Sequence, residues 1–229
     1  ERFKSYLDSV KKGESKLNIS TANVYDIYRN REKIDADLYF DKLEKIKISC
    51  LPIIDTSGSM HDNTDSIGKA LSIGHYLSKC STYYKDYFIT FSESPELVHL
   101  EGSDYNETIN LIKRAKWQMN TDFGKVMKLL EGLNELPDYL VVLSDMEFDR
   151  GSNKSKKDLQ RLWNEKGYKT KIVWWNFNNR NKTVPELDEM GNIFISGYSP
   201  MMLKYLEAGF DANTFLDKLL EEYKKNLEK

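Results

Sequence analysis

The order of apolar and polar segments predicts an α/β protein with a doubly wound, mostly parallel sheet, helices on both faces and one antiparallel edge strand. Three observations carry this prediction. Strand-like runs alternate with helical patterns, one run is apolar at almost every position, and two neighbouring runs are joined by a very short turn. Strands that alternate with helices typically form a parallel sheet with right-handed crossovers.

The strand-like runs begin at residue 46. We predict strands at residues 46–54, 87–91, 96–100, 139–144, 170–175 and 193–196. The run at 139–144 is almost continuously apolar, as expected for a strand that helices cover on both faces. The connection between the strands at 87–91 and 96–100 is too short for a crossover, so these two strands must pair antiparallel.

Apolar residues at helical spacing fill the intervals between these strands. One helical pattern includes Ile67, Leu71 and Leu77, and further helices are predicted at residues 105–115, 123–133, 155–165, 202–207 and 213–227. In sheets of this class, ligands bind at the carboxyl ends of the strands. A functional site is therefore expected in the loops that follow the strands.

Residues 1–45 differ from the rest of the chain in composition and patterning. They are polar, charged and weakly patterned, with helix-like pieces at residues 3–10 and 24–28. We interpret them as a helical or irregular lead-in, or as the remnant of an upstream helical domain. The α/β domain is assigned to residues 46–229.

Composition narrows the classes of function. Lys and Arg number 34 against 36 Asp and Glu, a net charge of −2, so the basic surplus of a typical nucleic-acid-binding domain is missing. The longest apolar runs are too short to span a membrane. Cys50 and Cys80 lie in apolar segments and are predicted to be buried free thiols, which suits a reducing compartment. We expect a cytoplasmic protein without a membrane partner.

Oxygen-bearing side chains cluster in three short segments beside the predicted strands. Asp55, Ser57 and Ser59 follow the first parallel strand, Thr121 leads into the helix at 123–133, and Asp145 follows the strand at 139–144. Hard cations such as Mg²⁺ prefer oxygen ligands in octahedral geometry and tend to keep bound water. Two carboxylates and three hydroxyls at one sheet edge would bind Mg²⁺ or Mn²⁺ and leave one coordination position open.

These three segments resemble the von Willebrand factor A family, whose domains carry a metal-ion-dependent adhesion site. The family's Asp-x-Ser-x-Ser element matches Asp55, Ser57 and Ser59, its threonine matches Thr121, and its second aspartate matches Asp145. The resemblance spans residues 46–227. It implies a Rossmann-like fold, a Mg²⁺ or Mn²⁺ ion on these five residues, and a protein partner whose exposed Asp or Glu binds the ion.

The amino-acid sequences of four segments are similar to those of a narrower family. This family is known as a domain of unknown function in bacteria, phages, large DNA viruses and plants. The segments are Asp-Thr-Ser-Gly-Ser-Met, Leu-Ser-Asp-Met-Glu-Phe-Asp, Trp-Trp-Asn-Phe and Ser-Gly-Tyr-Ser-Pro. That family resembles in turn the C-terminal domain of the Ro ribonucleoprotein autoantigen, in which a helical-repeat domain precedes the adhesion-type domain. The resemblance implies an alternative function, RNA binding through an upstream region.

Simpler roles compete with the metal site. Ser57, Ser59 and Thr121 are also residues that cap helices. Asp62 follows the motif closely, so it belongs either to a second metal site or to the start of a helix. Two adjacent tryptophans, Trp174 and Trp175, must point to opposite faces of their strand, and an exposed one would offer a binding surface.

Catalysis is the rival class of function. Phosphatases that begin with an aspartate after an apolar strand use Asp-x-Asp, and here the second acid is replaced by Ser57, which cannot protonate a leaving group. The sequence also lacks the Gly-x-x-x-x-Gly-Lys phosphate loop. We therefore predict a metal-dependent protein-binding module that is not an enzyme, with a metal-assisted hydrolase as a further alternative.

Overall fold

The computed structural model describes residues 9–10, 12, 23–91, 94–102, 104–114, 123–146, 161, 163–178, 186–187 and 191–227. The strands are β1 (Cys50–Asp55), β2 (Tyr87–Phe91), β3 (Leu97–His99), β4 (Tyr139–Ser144), β5 (Lys171–Asn176), β6 (Glu186–Leu187) and β7 (Ile193–Ser196). The helices are α1 (Val24–Asn30), α2 (Ala36–Lys42), α3 (Ser66–Cys80), α4 (Tyr105–Arg114), α5 (Phe123–Glu131), α6 (Met201–Glu207) and α7 (Ala212–Leu227).

The strands form one sheet in the order β3-β2-β1-β4-β5-β7-β6. The pairs β1–β2, β1–β4, β4–β5 and β5–β7 are parallel. The edge strand β3 pairs antiparallel with β2. The predicted doubly wound, mostly parallel sheet with an antiparallel edge strand is confirmed. At the opposite edge, the two-residue strand β6 adds a second antiparallel pairing that the sequence did not predict.

Two apolar cores lie on the two faces of this sheet, because successive strand residues point to opposite sides. On β1, Cys50 and Ile54 belong to the larger core, with helices α1 to α4 and α6, whereas Leu51 and Ile53 belong to the smaller core, with α5 and Trp163. The strands are apolar on both sides for this reason.

The tryptophan pair follows the same alternation. Trp175 is part of the larger core and Trp174 part of the smaller one, and both side chains are buried. The predicted opposite orientation of the two tryptophans is confirmed, and neither of them is left exposed as a binding surface. Helices on both faces leave a central strand no side that faces solvent.

Helices α1 and α2 lie before the predicted α/β domain. The structure confirms the helix-like piece at residues 24–28 as part of α1, whereas α2 was not predicted. Asn23 caps α1 and Asp35 caps α2 through side-chain oxygens that accept backbone N–H groups. Both helices add buried residues to the larger core, where Tyr28 and Phe40 pack with residues of α3. The helix-like piece at 3–10 lies mostly outside the described residues.

Cys50 and Cys80 are buried and free, as predicted. The helix predicted at residues 155–165 falls largely outside the described residues. The described residues contain no helix with the length and hydrophobicity that a membrane span requires.

Candidate functional site

Asp55, the last residue of β1, is fully buried and both of its carboxylate oxygens accept hydrogen bonds. Oδ1 accepts from the backbone N–H of Ser57 at 2.9 Å, and Oδ2 accepts from the hydroxyl of Ser144 at 2.6 Å. The β1–β4 register pairs Ile54 with Leu143, so Asp55 and Ser144 end neighbouring strands at equivalent positions. The carboxylate therefore has a fixed orientation at the carboxyl edge of the sheet.

Ser57 and Ser59 bring their hydroxyls together just beyond β1. The two Oγ atoms lie 3.0 Å apart. A short 3₁₀ turn, Gly58–Met60, sets this spacing, and the buried side chain of Met60 anchors the turn in the larger core. In an octahedral Mg²⁺ site with oxygens about 2.0–2.1 Å from the ion, neighbouring oxygens lie about 2.9 Å apart. The two hydroxyls are hydrogen-bonded to each other, at a spacing that two adjacent ligands of such an ion would also have.

Asp145 directly follows β4 and is also buried. Burial is the main cause that raises the pKa of Asp55 to about 6; hydrogen bonds from Ser144 and Ser57 lower it, and the negative charge of Asp145 adds to the rise. The two carboxylates are therefore close enough to repel each other. A cation between them would relieve this repulsion.

Of the five predicted site residues, the structure describes four. Asp55, Ser57 and Ser59 form one hydrogen-bonded group, and Asp145 lies beside it at the end of the neighbouring strand. Thr121 lies outside the described residues. Within the described ranges there is no group of three or more His, Cys, Asp or Glu residues that could hold a metal. A metal at this edge would thus depend on hydroxyl oxygens as well as carboxylates.

Ser144 is a site residue that the sequence analysis missed. Its hydroxyl donates to Asp55 and accepts from the backbone N–H of Met146 at 2.9 Å, where Met146 has a positive φ of 63°. Ser144 thus links the end of β1 to the turn that carries Asp145. Its position at the end of a strand next to β1, immediately before an aspartate, was the signal for this role.

The carboxylate of Asp62 accepts hydrogen bonds within the loop that leads to α3. Its Oδ1 accepts from the backbone N–H groups of Thr64 and Ser66 at 3.2 and 3.0 Å, and its Oδ2 accepts from their hydroxyls at 2.6 and 3.0 Å. Although burial raises the pKa of Asp62, these hydrogen bonds lower it below its usual value. The contacts favour a structural role at the start of the helix over a second metal site.

Helix α1 docks at the end of the same loop. Asp65 has a positive φ of 54° and caps α3 by accepting from the N–H of Gly68 at 3.2 Å. The hydroxyl of Tyr25 on α1 donates to the other oxygen of Asp65 at 2.8 Å. A Cβ on Gly68 would come within 2.6 Å of the ring of Tyr28, so the glycine allows α1 to approach. The loop is therefore anchored at both ends.

Four cations surround two tyrosines beside this loop, an arrangement that we call the tyrosine–cation cluster. Arg29 and Lys69 lie 5.7 and 6.0 Å from the ring centre of Tyr25. Arg31 and Lys113 lie 4.4 and 5.4 Å from that of Tyr28. Burial, and then the positive charge of Arg31, lower the pKa of Lys113. The cations come from α1, α3, α4 and the turn after α1.

Comparison with known proteins identifies a family for most of the chain. A family model described as a domain of unknown function, DUF7788, matches residues 49–228. The uncharacterized protein L728 of Acanthamoeba polyphaga mimivirus is 26% identical over 98% of the chain, and the chain spans 44% of its length. The crystal structure of the Deinococcus radiodurans Ro (RSR) protein has the same fold, with a TM-score of 0.55 at 16% identity, over 76% of this chain and 36% of that protein.

Proposed function

The chain belongs to the DUF7788 family, and on that premise we propose that it is a metal-dependent protein-binding module of the von Willebrand factor A type. In this proposal Mg²⁺ or Mn²⁺ binds the hydroxyls of Ser57, Ser59 and Thr121. Asp55 and Asp145 bind the ion directly or through water. An exposed Asp or Glu of a protein partner fills the remaining coordination position.

The observation that carries the proposal is the Oγ–Oγ distance of 3.0 Å between Ser57 and Ser59, beside the buried carboxylate of Asp55. Two hydroxyls at this spacing match neighbouring ligands of a small octahedral ion. The nearby carboxylate of Asp145 supplies the second negative charge that a divalent cation would balance.

The charge balance favours an open site over a closed one. Two carboxylates balance the charge of a divalent ion without exceeding it, and hydroxyls add no charge, so an incoming carboxylate meets no excess negative charge and can still bind the ion. A third protein carboxylate would repel it. We assign no catalytic role, because Ser57 stands where a phosphatase of this architecture needs an acid.

Metal binding should stabilise the folded protein. We expect millimolar Mg²⁺ to raise the melting temperature relative to chelator, since an ion present at about 100 times its Kd adds about 2.7 kcal/mol to the free energy of unfolding. A Ser57→Ala/Ser59→Ala variant should lose this response. Asn63→Ala, an exposed change in the same loop, is the matched control and should respond like the parent. An equal response in all three proteins would refute the site.

The open position needs its own measurement. Mn²⁺ bound to the parent should keep exchangeable water, and therefore raise the relaxation rate of solvent protons. Acetate, as a minimal carboxylate ligand, should displace that water and lower the rate. If Mn²⁺ binds and acetate leaves the relaxation rate unchanged, the site is closed and an adhesion function is wrong.

RNA binding is a second candidate function. The tyrosine–cation cluster supports it with Arg29, Arg31, Lys69 and Lys113, and so does the likeness in fold to the Ro protein. Phosphate contacts weaken steeply with salt. A gel shift with single-stranded RNA should then weaken at higher salt and in an Arg31→Ala/Lys113→Ala variant, but not in Lys85→Ala, which changes an exposed lysine elsewhere. Absence of a shift at low salt would reject this function.

A further inference from the structure

The last helix, α7, exposes an apolar stripe. Leu216, Leu220 and Tyr223 are 54%, 56% and 63% exposed. Their spacing places them on one face of the 16-residue helix, since residues separated by four and seven positions lie above one another. Large apolar side chains that are exposed together on one face mark an interaction surface.

Among the described residues, the contacts of α7 with α6 lie on other sides of the helix than the stripe. Phe215 meets Tyr205 of α6 edge to face with ring centres 5.1 Å apart, and Lys218 pairs with Glu207 of α6 at 3.2 Å. At 100° per residue, Phe215 lies to one side of the stripe and Lys218 lies nearly opposite to it. Helices of this length are marginal in water unless an apolar face is packed. The exposed stripe therefore calls for a partner.

We propose that a second copy of the chain covers the stripe, with the two α7 helices antiparallel and Leu220 near the two-fold axis. Charged residues beside the stripe favour a second copy of the chain as the partner. Asp217 and Lys224 are both exposed and lie on the flank of α7 that faces away from α6. In an antiparallel pair the same flanks face each other, so Asp217 of each helix lies opposite Lys224 of the other.

The alternative, in which the two α7 helices pack parallel, is less favourable. A parallel pair would bring this charged flank against the opposite flank of the second helix, where Phe215 already packs on Tyr205. In the antiparallel register, Tyr223 of one helix instead fits between Leu216 and Leu220 of the other. Opposite charges then meet at both ends of the contact.

The size of the contact sets the expected strength. A helix of 16 residues is about 24 Å long, and a single pair of such helices buries less than the 1,200–2,000 Å² or so of a typical stable interface. We therefore expect a weak dimer, visible by sedimentation equilibrium as a rise in mass between micromolar and several hundred micromolar protein.

Substitution of the central leucine tests the surface. Leu220→Glu should keep the chain monomeric throughout this range, because it places two negative charges at the two-fold axis. Glu221→Gln, a change beside the stripe, should still dimerise. Circular dichroism checks that both variants keep their helix content. A monomeric parent, or a dimer that Leu220→Glu leaves intact, overturns the proposal.

A charge exchange tests the antiparallel register. Asp217→Lys gives a helix with two lysines at the facing positions, and Lys224→Asp gives one with two aspartates. Each variant alone should dimerise more weakly than the parent, whereas an equimolar mixture should form a heterodimer in which both pairs are again opposite in sign. The double variant Asp217→Lys/Lys224→Asp should dimerise like the parent. A mixture no tighter than the separate variants overturns the antiparallel pairing.

Discussion

Asp55 and Asp62 lie in one stretch of sequence, yet they have very different surroundings. The spacing of Asp55 to Ser57 and Ser59 predicted that these oxygens converge, and the Oγ–Oγ distance of 3.0 Å agrees. The hydrogen bonds of Asp62 could not be predicted, because they depend on how the loop folds back at Thr64 and Ser66. A motif shows which side chains are near; the loop conformation determines which oxygens remain available.

His75 is another residue whose environment decides its chemistry. Its ring stacks on Phe40 with centres 4.5 Å apart and meets Tyr105 edge to face. Within the described part of the chain, neither ring nitrogen has a hydrogen-bond partner. Burial, followed by the positive charges of Lys79 and Lys45, lowers the pKa of His75 from 6.5 to about 3. The folded protein therefore holds a neutral imidazole.

This burial predicts a loss of stability in acid. The unfolded chain binds the proton more tightly, so the contribution of His75 is complete above pH 6.5 and declines as the pH falls from 6.5 towards 3. Between pH 6.5 and 5 we expect a loss of about 2 kcal/mol in the free energy of unfolding. Denaturant unfolding across this range should show it, and His75→Phe, which keeps the stacking, should reduce the decline.

The titration of buried Asp55 falls in the same pH range, but it is common to the parent and to His75→Phe, so the difference between the two isolates the histidine. His99→Gln changes an exposed histidine and is the matched control. A decline of equal steepness in the parent and in His75→Phe would show that His75 does not cause it.

At the scale of elements, the pattern of apolar residues predicted the bounds of several strands of the sheet. The bounds predicted for β2, β4 and β7 match the structure, because their runs of apolar residues end abruptly. Helix α2 was not predicted, because a helix of seven residues is too short to show a helical repeat of apolar positions. Its apolar residues are Ala36, Leu38, Tyr39 and Phe40. A segment so short acquires its structure from packing on α3.

Helices α1 and α2 cover α3, so their removal should destabilise the protein. Val24, Ile27 and Phe40 are each buried in the larger core. Burial of one such side chain contributes about 1.5–3 kcal/mol, and typical domains have a stability of only about 5–15 kcal/mol. We expect a chain shortened to residues 46–229 to melt well below one that spans residues 23–229, or to aggregate. Equal melting temperatures would show that α1 and α2 do not stabilise the protein.

At the scale of the whole molecule, the two cores hold the sheet between them and leave its carboxyl edge for the site. The sequence predicted this arrangement, because alternating strands and helices allow few topologies. It did not predict the docking of α1 at the site loop through Tyr25 and Asp65, which joins residues far apart in the chain. Long-range hydrogen bonds between polar side chains leave no periodic pattern in a sequence.

The two edges of the sheet have a consequence for how this protein can aggregate. Both described edge strands are antiparallel and very short, with three residues in β3 and two in β6. Each offers few unpaired N–H and C=O groups, so neither is a good template for the addition of a further strand. Growth of amyloid-type fibrils from the native sheet is thereby disfavoured, and concentrated solutions should remain free of fibrils as long as the chain stays folded.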